Sequence, residues 1–524
     1  MKFVTGCLFI ILCLFCTSSY CQLPVDILHY TFKIDLNDST DIIYGETTID
    51  LKLNKPSDHL SIDLINKNPN GKGMVVSDVK GEAVQGFKQT NKTLEIKLKP
   101  IKSSTAFSLQ IFYSGIPADG LIISKNKYGD RTFFSDNWPN RAHNWIPCVD
   151  RPDDKASFEF IVTAPSVYKV ISNGALVEQN LLQNGRLLTH WKEDVSLPTK
   201  VMVIGAARFA VKQFDHSPPE IPVSAWVYAQ DSINGFYDYG VAPSIVKFFS
   251  RYIAPYPYNK LANVQSKTIF GGMENASAIF YAEASVTGDR KWEDVIAHEI
   301  VHQWFGDMAS EKTFADLWLS EGFATYLTNI YIGNKYGVEK MTERLKKDRN
   351  DVIAFITKSN HPVVDTTADL MYLLNANSYQ KGGWILHMLR QETGDSLFKI
   401  CIQHYYNEYK GGNANTRDFE SVVEKVTGKK LKWFFDQWLY RPGIPQLKIQ
   451  YEWKNNFLEV DIKQVNALLY IHLPLEVKTQ LENGKTFLQK IVINEREQKV
   501  KLTLPSKPKT IQFDPDVRLL FQQK

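Results

Sequence analysis

Val295-Ile296-Ala297-His298-Glu299-Ile300-Val301-His302-Gln303-Trp304 carries the pattern H-E-x-x-H. On a helix, residues four apart share a face, so His298 and His302 aim two imidazoles at one point. Glu299 is turned by about 100° from His298, beside that point rather than on it. That is where a base for a metal-bound water belongs. With 11 histidines in 524 residues, the five-residue pattern arises by chance in about one such chain in a hundred. Alone, it also fits two histidines on a helix surface.

Eighteen intervening residues later comes Glu321, within Leu317-Trp318-Leu319-Ser320-Glu321-Gly322-Phe323-Ala324-Thr325-Tyr326. A carboxylate in an otherwise apolar helical stretch is costly to bury unpaired. Gly322 beside it allows close helix packing. Two His and one Glu, with a fourth position open to water, form a catalytic zinc set rather than a closed structural one. The ligand types favour Zn2+ over copper or iron.

Outward from this pair of helices the chain divides into three parts. Residues 22–230 carry short alternating runs such as Tyr30-Thr31-Phe32-Lys33-Ile34-Asp35-Leu36 and Thr93-Leu94-Glu95-Ile96-Lys97-Leu98. Period two with turn residues between runs predicts a β domain of antiparallel, sandwich-like sheet. Residues 231–443 carry helical patterns at Val241 to Tyr252, Trp292 to Phe305, Leu317 to Tyr336, Ser378 to Glu392 and Thr416 to Val426. After Arg441-Pro442-Gly443-Ile444-Pro445, residues 444–524 return to strand-like runs and predict a small β-sandwich. The fold class is multidomain α+β. A chain of 524 residues with 61 basic and 57 acidic side chains is ordinary globular protein, neither disordered nor a polybasic nucleic-acid binder.

The only long apolar run follows Lys2, Cys7-Leu8-Phe9-Ile10-Ile11-Leu12-Cys13-Leu14-Phe15-Cys16, with Thr17-Ser18-Ser19-Tyr20-Cys21 after it. A basic start, a short apolar core and small residues make residues 1–21 a secretory signal peptide, cleaved after Cys21. The expectation is an exported protein, periplasmic or secreted, with no integral membrane span after cleavage. Tyr20 is too bulky to precede a lipidated Cys21. Cleavage reduces six cysteines to Cys148 and Cys401, which gives no disulfide framework, so both read as small buried hydrophobes.

H-E-x-x-H with its distant Glu, preceded by Gly271-Gly272-Met273-Glu274-Asn275, resembles the zinc aminopeptidase family of aminopeptidase N and leukotriene hydrolase. The resemblance covers nearly the whole chain after the signal peptide. It implies an N-terminal β domain, a thermolysin-like catalytic domain, a small β-sandwich and one Zn2+ held by His298, His302 and Glu321. It makes Glu299 the general base and Glu274 the partner of the substrate's free α-ammonium. Met273 would line the first-residue pocket, and the Gly271-Gly272 backbone would lie along an extended peptide, where side chains would block the approach. In Ser378-Tyr379-Gln380-Lys381-Gly382, Tyr379 would be the phenol that stabilises the oxyanion. Partners are then peptides with a free N-terminus.

Three departures accompany the resemblance. Ser320 stands where relatives often have Asn before the third ligand, which should alter contacts around the metal rather than remove it. The first domain's amine-site residue falls on Asp136 or Asn137 in Phe134-Ser135-Asp136-Asn137-Trp138-Pro139. Many relatives carry a large helical C-terminal domain that this sequence lacks. Rival readings are a zinc endopeptidase, which the Gly-Gly-Met-Glu-Asn element opposes, and an inactive peptide-binding scaffold, which would be expected to have lost a ligand or the base. An epoxide hydrolase like leukotriene hydrolase fits an exported chain poorly.

Overall fold

The computed structural model describes residues 25–214, 221–367, 369–466 and 468–524. The signal peptide read at residues 1–21 lies outside them. Among the described residues, no helix is long and apolar enough to cross a membrane.

The first part is built on a seven-stranded sheet whose middle strand, Val25–Asp35, pairs antiparallel with Ile43–Leu53. Ile43–Leu53 alternates buried and outward positions along its length, as period-two patterning requires. The pairing of Val25–Asp35 with Ala156–Pro165 is parallel, so the all-antiparallel expectation fails at the centre of the sheet. The connection between those strands runs through two smaller sheets, which a parallel pairing allows and a hairpin does not.

Phe209–Phe214 and Val223–Tyr228 do not stay with this part. They join Leu261–Ser266, Ala278–Ala282 and Gly272–Met273 in a five-stranded sheet. A boundary at residue 230 therefore cuts through the sheet that presents the Gly-Gly-Met segment. Two alternating strands look alike in sequence whichever sheet they join. Gly272–Met273 is the last strand in that sheet and pairs on one side only, with Phe280 and Tyr281.

The helices that follow include Glu293–His302, Trp318–Tyr336, Val338–Ile356, Gly382–Thr393, Asp395–Tyr409 and Thr416–Thr427. An aromatic cluster clamps the first two. Phe305 packs on Phe323 at 4.7 Å between ring centroids, and Phe323 meets Tyr405 at 5.5 Å and Phe419 at 5.1 Å. Glu293–His302 stops short of the expected Phe305 because Gly306, at φ +124°, turns the chain back beneath His302. The helix expected from Ser378 begins instead as a wider π turn, Asn377–Lys381, before Gly382–Thr393 continues as α-helix.

Residues beyond 444 form a four-stranded and a three-stranded sheet. Cys148 and Cys401 are free and buried.

Gly322 and Gly382 bring the helix of Glu321 and the segment of Tyr379 into backbone contact. A Cβ on Gly322 would lie 2.8–2.9 Å from backbone atoms of Gly382. Backbone gives way less readily than a side-chain tip, so Gly322→Ala should lose about 1–3 kcal/mol of stability. A denaturant midpoint equal to wild type would show that the contact is not tight.

Candidate active site

Helix geometry performs the first step. His298 and His302, one turn apart, present Nε2 atoms 3.1 Å from each other. Glu321, from the first turn of Trp318–Tyr336, brings Oε2 to 3.1 Å from His298 Nε2 and 3.2 Å from His302 Nε2. Three donors about 2.0–2.1 Å from a tetrahedral zinc would sit about 3.3 Å apart, so this triangle fits such an ion. His302 Nδ1 faces the Phe305 carbonyl oxygen at 3.1 Å and Ser320 Oγ at 3.0 Å. Donation from Nδ1–H to that carbonyl leaves the Nε2 lone pair directed into the triangle. Ser320 therefore touches a ligand, as its place beside Glu321 suggested.

Electrostatics argues for a cation in the same spot. Glu274, Glu299 and Glu321 are all buried. Burial, assisted by Glu274 and Glu321, pushes the Glu299 carboxyl well above the usual range, against the pull of His302. Burial also raises Glu274. Glu321 moves the other way: the two histidines outweigh its burial and hold it well below the usual range. Burial alone would lower His302, but Glu321 dominates and raises it. A divalent ion would relieve this crowding of carboxylates.

The triangle opens onto a cavity of about 520 Å³. Glu299, Glu274, Met273, Gly271, Gly272 and Tyr379 all line it, as the sequence reading required. The Tyr379 ring stacks on His298 at 5.8 Å and 12°, and burial near Glu321 and Glu274 holds its phenol well above the usual range. Lys381 has no part in the cavity; it is buried, with its ammonium directed at the Arg441 carbonyl.

Asp136, Asn137 and Asn275 do not line the cavity. Asp136 is fully buried and engaged on both oxygens: Arg141 Nη2 donates to Oδ1 at 2.7 Å, while Thr268 Oγ1 and the Ile269 N–H donate to Oδ2. These bonds brace the turn ahead of Phe270. Asn137 accepts from Trp145 Nε1 and donates to the Thr199 and Met202 carbonyls. Their neighbour Trp138 is the residue that reaches the cavity. Asn275 is fully buried and outside the cavity lining.

Several contributors escaped the sequence reading. Gln303 uses its whole amide: Nε2 donates to the Glu274 carbonyl at 2.6 Å and to Asp307 Oδ2, while Oε1 accepts from the Ser277 N–H and Tyr256. It ties the end of the metal helix to the segment that carries Glu274. Lys200, from the first part of the chain, is buried against Glu311 and lies behind Glu274, an attraction that helps keep it charged despite burial. Neither has a local signal. Thr325 and Thr328, four and seven residues after Glu321, also line the cavity, and helical spacing alone would have found them.

Comparison with known proteins places these features. Residues 237–438 match the peptidase family M1 domain, and residues 27–201 match the peptidase M1 N-terminal domain. The chain is 29% identical over 337 residues to glutamyl aminopeptidase of Bos taurus, covering 60% of this chain and 34% of that protein. It is 27% identical over 447 residues to leucyl aminopeptidase of Saccharolobus solfataricus, covering 79% of this chain and 54% of that one. It thus spans between a third and little more than half of the length of these two relatives. The crystal structure of Legionella pneumophila aminopeptidase A in complex with aspartic acid shares the fold, with a TM-score of 0.83 over 97% of this chain and 60% of that one, at 17% identity.

Gly272 sets the position of Glu299, since a Cβ there would lie 2.3 Å from Glu299 Oε1 and 2.5 Å from Cδ. Gly272→Ala should leave the metal triangle intact while displacing the carboxylate by about 1 Å, enough to cost about a hundredfold in kcat. Metal content and kcat measured on one preparation check this; wild-type turnover would refute the contact's importance.

Proposed function

The chain belongs to the peptidase M1 family, and on that premise we propose that it is a zinc-dependent aminopeptidase removing the N-terminal residue from peptides. The observation that carries the reading is the meeting, in one cavity, of the His298–His302–Glu321 triangle, the neighbouring carboxylate of Glu299 and the buried carboxylate of Glu274. The same reading makes the helical part thermolysin-like and the last two sheets a sandwich. The apolar opening of the sequence supports action outside the cytoplasm.

Zn2+ held by His298, His302 and Glu321 would supply a Lewis acid for the scissile carbonyl and an acidified water. The chain's own residues do the rest. Glu274 holds the substrate ammonium, which sets the first peptide bond at the triangle. The open side of Gly272–Met273 offers backbone groups to an extended peptide. Glu299, whose carboxylate lies beside the triangle in the same cavity, takes a proton from the attacking water and returns it to the leaving amine. The Tyr379 hydroxyl donates to the oxygen on which negative charge grows, a contribution typically worth ~3–4 kcal/mol. An acidic group reading the free amine favours an exopeptidase over an endopeptidase, and the full set of ligands and base favours an enzyme over a scaffold.

Two measurements test this. Glu299→Ala should retain one zinc per chain and lose at least about a hundredfold in kcat; a fully active variant would remove Glu299 from the chemistry. N-acetylation of a substrate should abolish cleavage, because it erases the charge that Glu274 reads. Equal rates on blocked and free peptides would replace the aminopeptidase reading with an endopeptidase one.

A further inference from the structure

We propose that the cavity has a second recognition point at its far end, where Arg344 and Lys347 take the C-terminal carboxylate of the substrate, so that the preferred substrates are di- and tripeptides. The inference rests on the aminopeptidase reading and adds the length class of its substrates.

The direction of the cavity follows from the metal helix. Gln303, just beyond that helix, is bonded to Glu274, and Asp294 and Val295, near its start, line the opposite end of the same cavity. At about 1.5 Å per residue the two ends are about 13 Å apart, with His298 about 6 Å from Asp294. Thr325 and Thr328 continue along the neighbouring helix past Glu321. A peptide whose ammonium sits on Glu274 and whose first carbonyl sits at the triangle must send its remaining residues toward Asp294. Each extended residue covers about 3.3–3.6 Å, so the carboxylate of a chain ending one or two residues past the cut arrives there.

Two cations wait at that end, both on helix Val338–Ile356. Arg344 is held in place rather than neutralised out of use: its Nε donates to Asn329 Oδ1 at 2.6 Å and its Nη1 to Asp294 Oδ2 at 2.9 Å. A guanidinium carries five N–H donors, and its planar fork suits a carboxylate. Lys347 donates to Asp351 Oδ2 at 3.1 Å on an exposed helix surface, a contact that water and salt screen and that a ligand can replace. Of the acidic groups nearby, Asp294 is engaged by Arg344, Asp351 faces outward, and Asp348 is buried on Asn329 Nδ2 with burial raising its carboxyl toward the neutral form. What this end offers an anion is therefore the guanidinium N–H groups of Arg344 that Asn329 and Asp294 leave unused, and a Lys347 ammonium whose exposed partner an anion can displace.

A matched series sharing one N-terminal residue X tests this on the zinc-loaded enzyme: X-Ala, X-Ala-Ala, X-Ala-amide, X-Asp-amide and a hexapeptide amide in which X is followed only by alanines. The free acids should exceed both X-Ala-amide and the hexapeptide amide by about tenfold in kcat/KM, chiefly through KM, as expected for a charge-assisted contact. Lys347→Ala, at an exposed position that leaves the fold intact, should shrink that ratio severalfold, and Arg344→Gln should shrink it further. Equal kcat/KM for acid and amide, or a ratio that both variants leave untouched, would overturn the proposal. Preference for X-Asp-amide over X-Ala would overturn the C-terminal assignment by showing that a side-chain carboxylate is read. Wild-type cleavage of an X-anilide, which has no carboxylate, tests the aminopeptidase reading separately.

Discussion

Three carboxylates buried around one small space are the constraint from which this structure is best understood. Glu274, Glu299 and Glu321 would each rather be solvated, and together they repel. The fold offsets that repulsion from several directions: His298 and His302 meet Glu321 directly, and Lys200 approaches from behind Glu274 while holding Glu311. Lys200 belongs to the first part of the chain and Glu311 to the helical part. The charge balance of the active site is thus also a joint between domains. Lys155 reinforces it by donating to the Asp307 and Met308 carbonyls just past the metal helix and to the Gly412 carbonyl after the helix Asp395–Tyr409.

Glycines convert this charge arrangement into distances. Gly272 lets sheet-edge backbone approach Glu299, and Gly322 and Gly382 let two segments touch, one carrying Glu321 and the other Tyr379. Gly306 performs the same service for His302, since a Cβ there would strike Ser320 Oγ at 2.4 Å and press on His302 Nδ1 at 3.0 Å. Glu299, His302 and the segment of Glu321 are each approached by a residue that has no side chain. Charge concentration and close backbone approach therefore belong to one design, because catalytic groups lose effect rapidly when misplaced by an ångström.

The metal triangle was legible because its information is local. Helical periodicity places His298 and His302 on one face, and a lone acid in an apolar run marks Glu321. Tyr379, Glu274 and the glycines were legible only as words in a family pattern, yet they arrive in the cavity where that pattern puts them. Asp136 shows where such transfer ends: it occupies the right segment, but Arg141, Thr268 and the Ile269 amide already consume its carboxylate. Gln303 and Lys200 were illegible for a different reason. Their roles depend on partners 29 and 111 residues away, and no window of sequence displays such pairs. The sheet that Phe209–Phe214 and Val223–Tyr228 join was hidden likewise, since alternation identifies a strand without naming its sheet.

The C-terminal sheets enter this arrangement through the helix Val338–Ile356. Arg344 and Lys347 project from one stretch of it toward the cavity, and Arg349, little more than a turn later, reaches the other way to Asp514 Oδ2 at 2.5 Å and the Leu519 carbonyl at 2.8 Å. His387, on the adjoining Gly382–Thr393, presents Nε2 to the Val517 carbonyl at 3.0 Å and Nδ1 to the Tyr326 hydroxyl, which lies on the helix of Glu321. Burial holds this imidazole neutral, with its pKa lowered to about 4, so these bonds persist across the physiological range. The last sheets are bonded to the helices that carry the far end of the cavity, Tyr379's continuation and the third ligand. They contribute nothing to the His298–His302–Glu321 triangle, yet they hold the helices that frame the cavity.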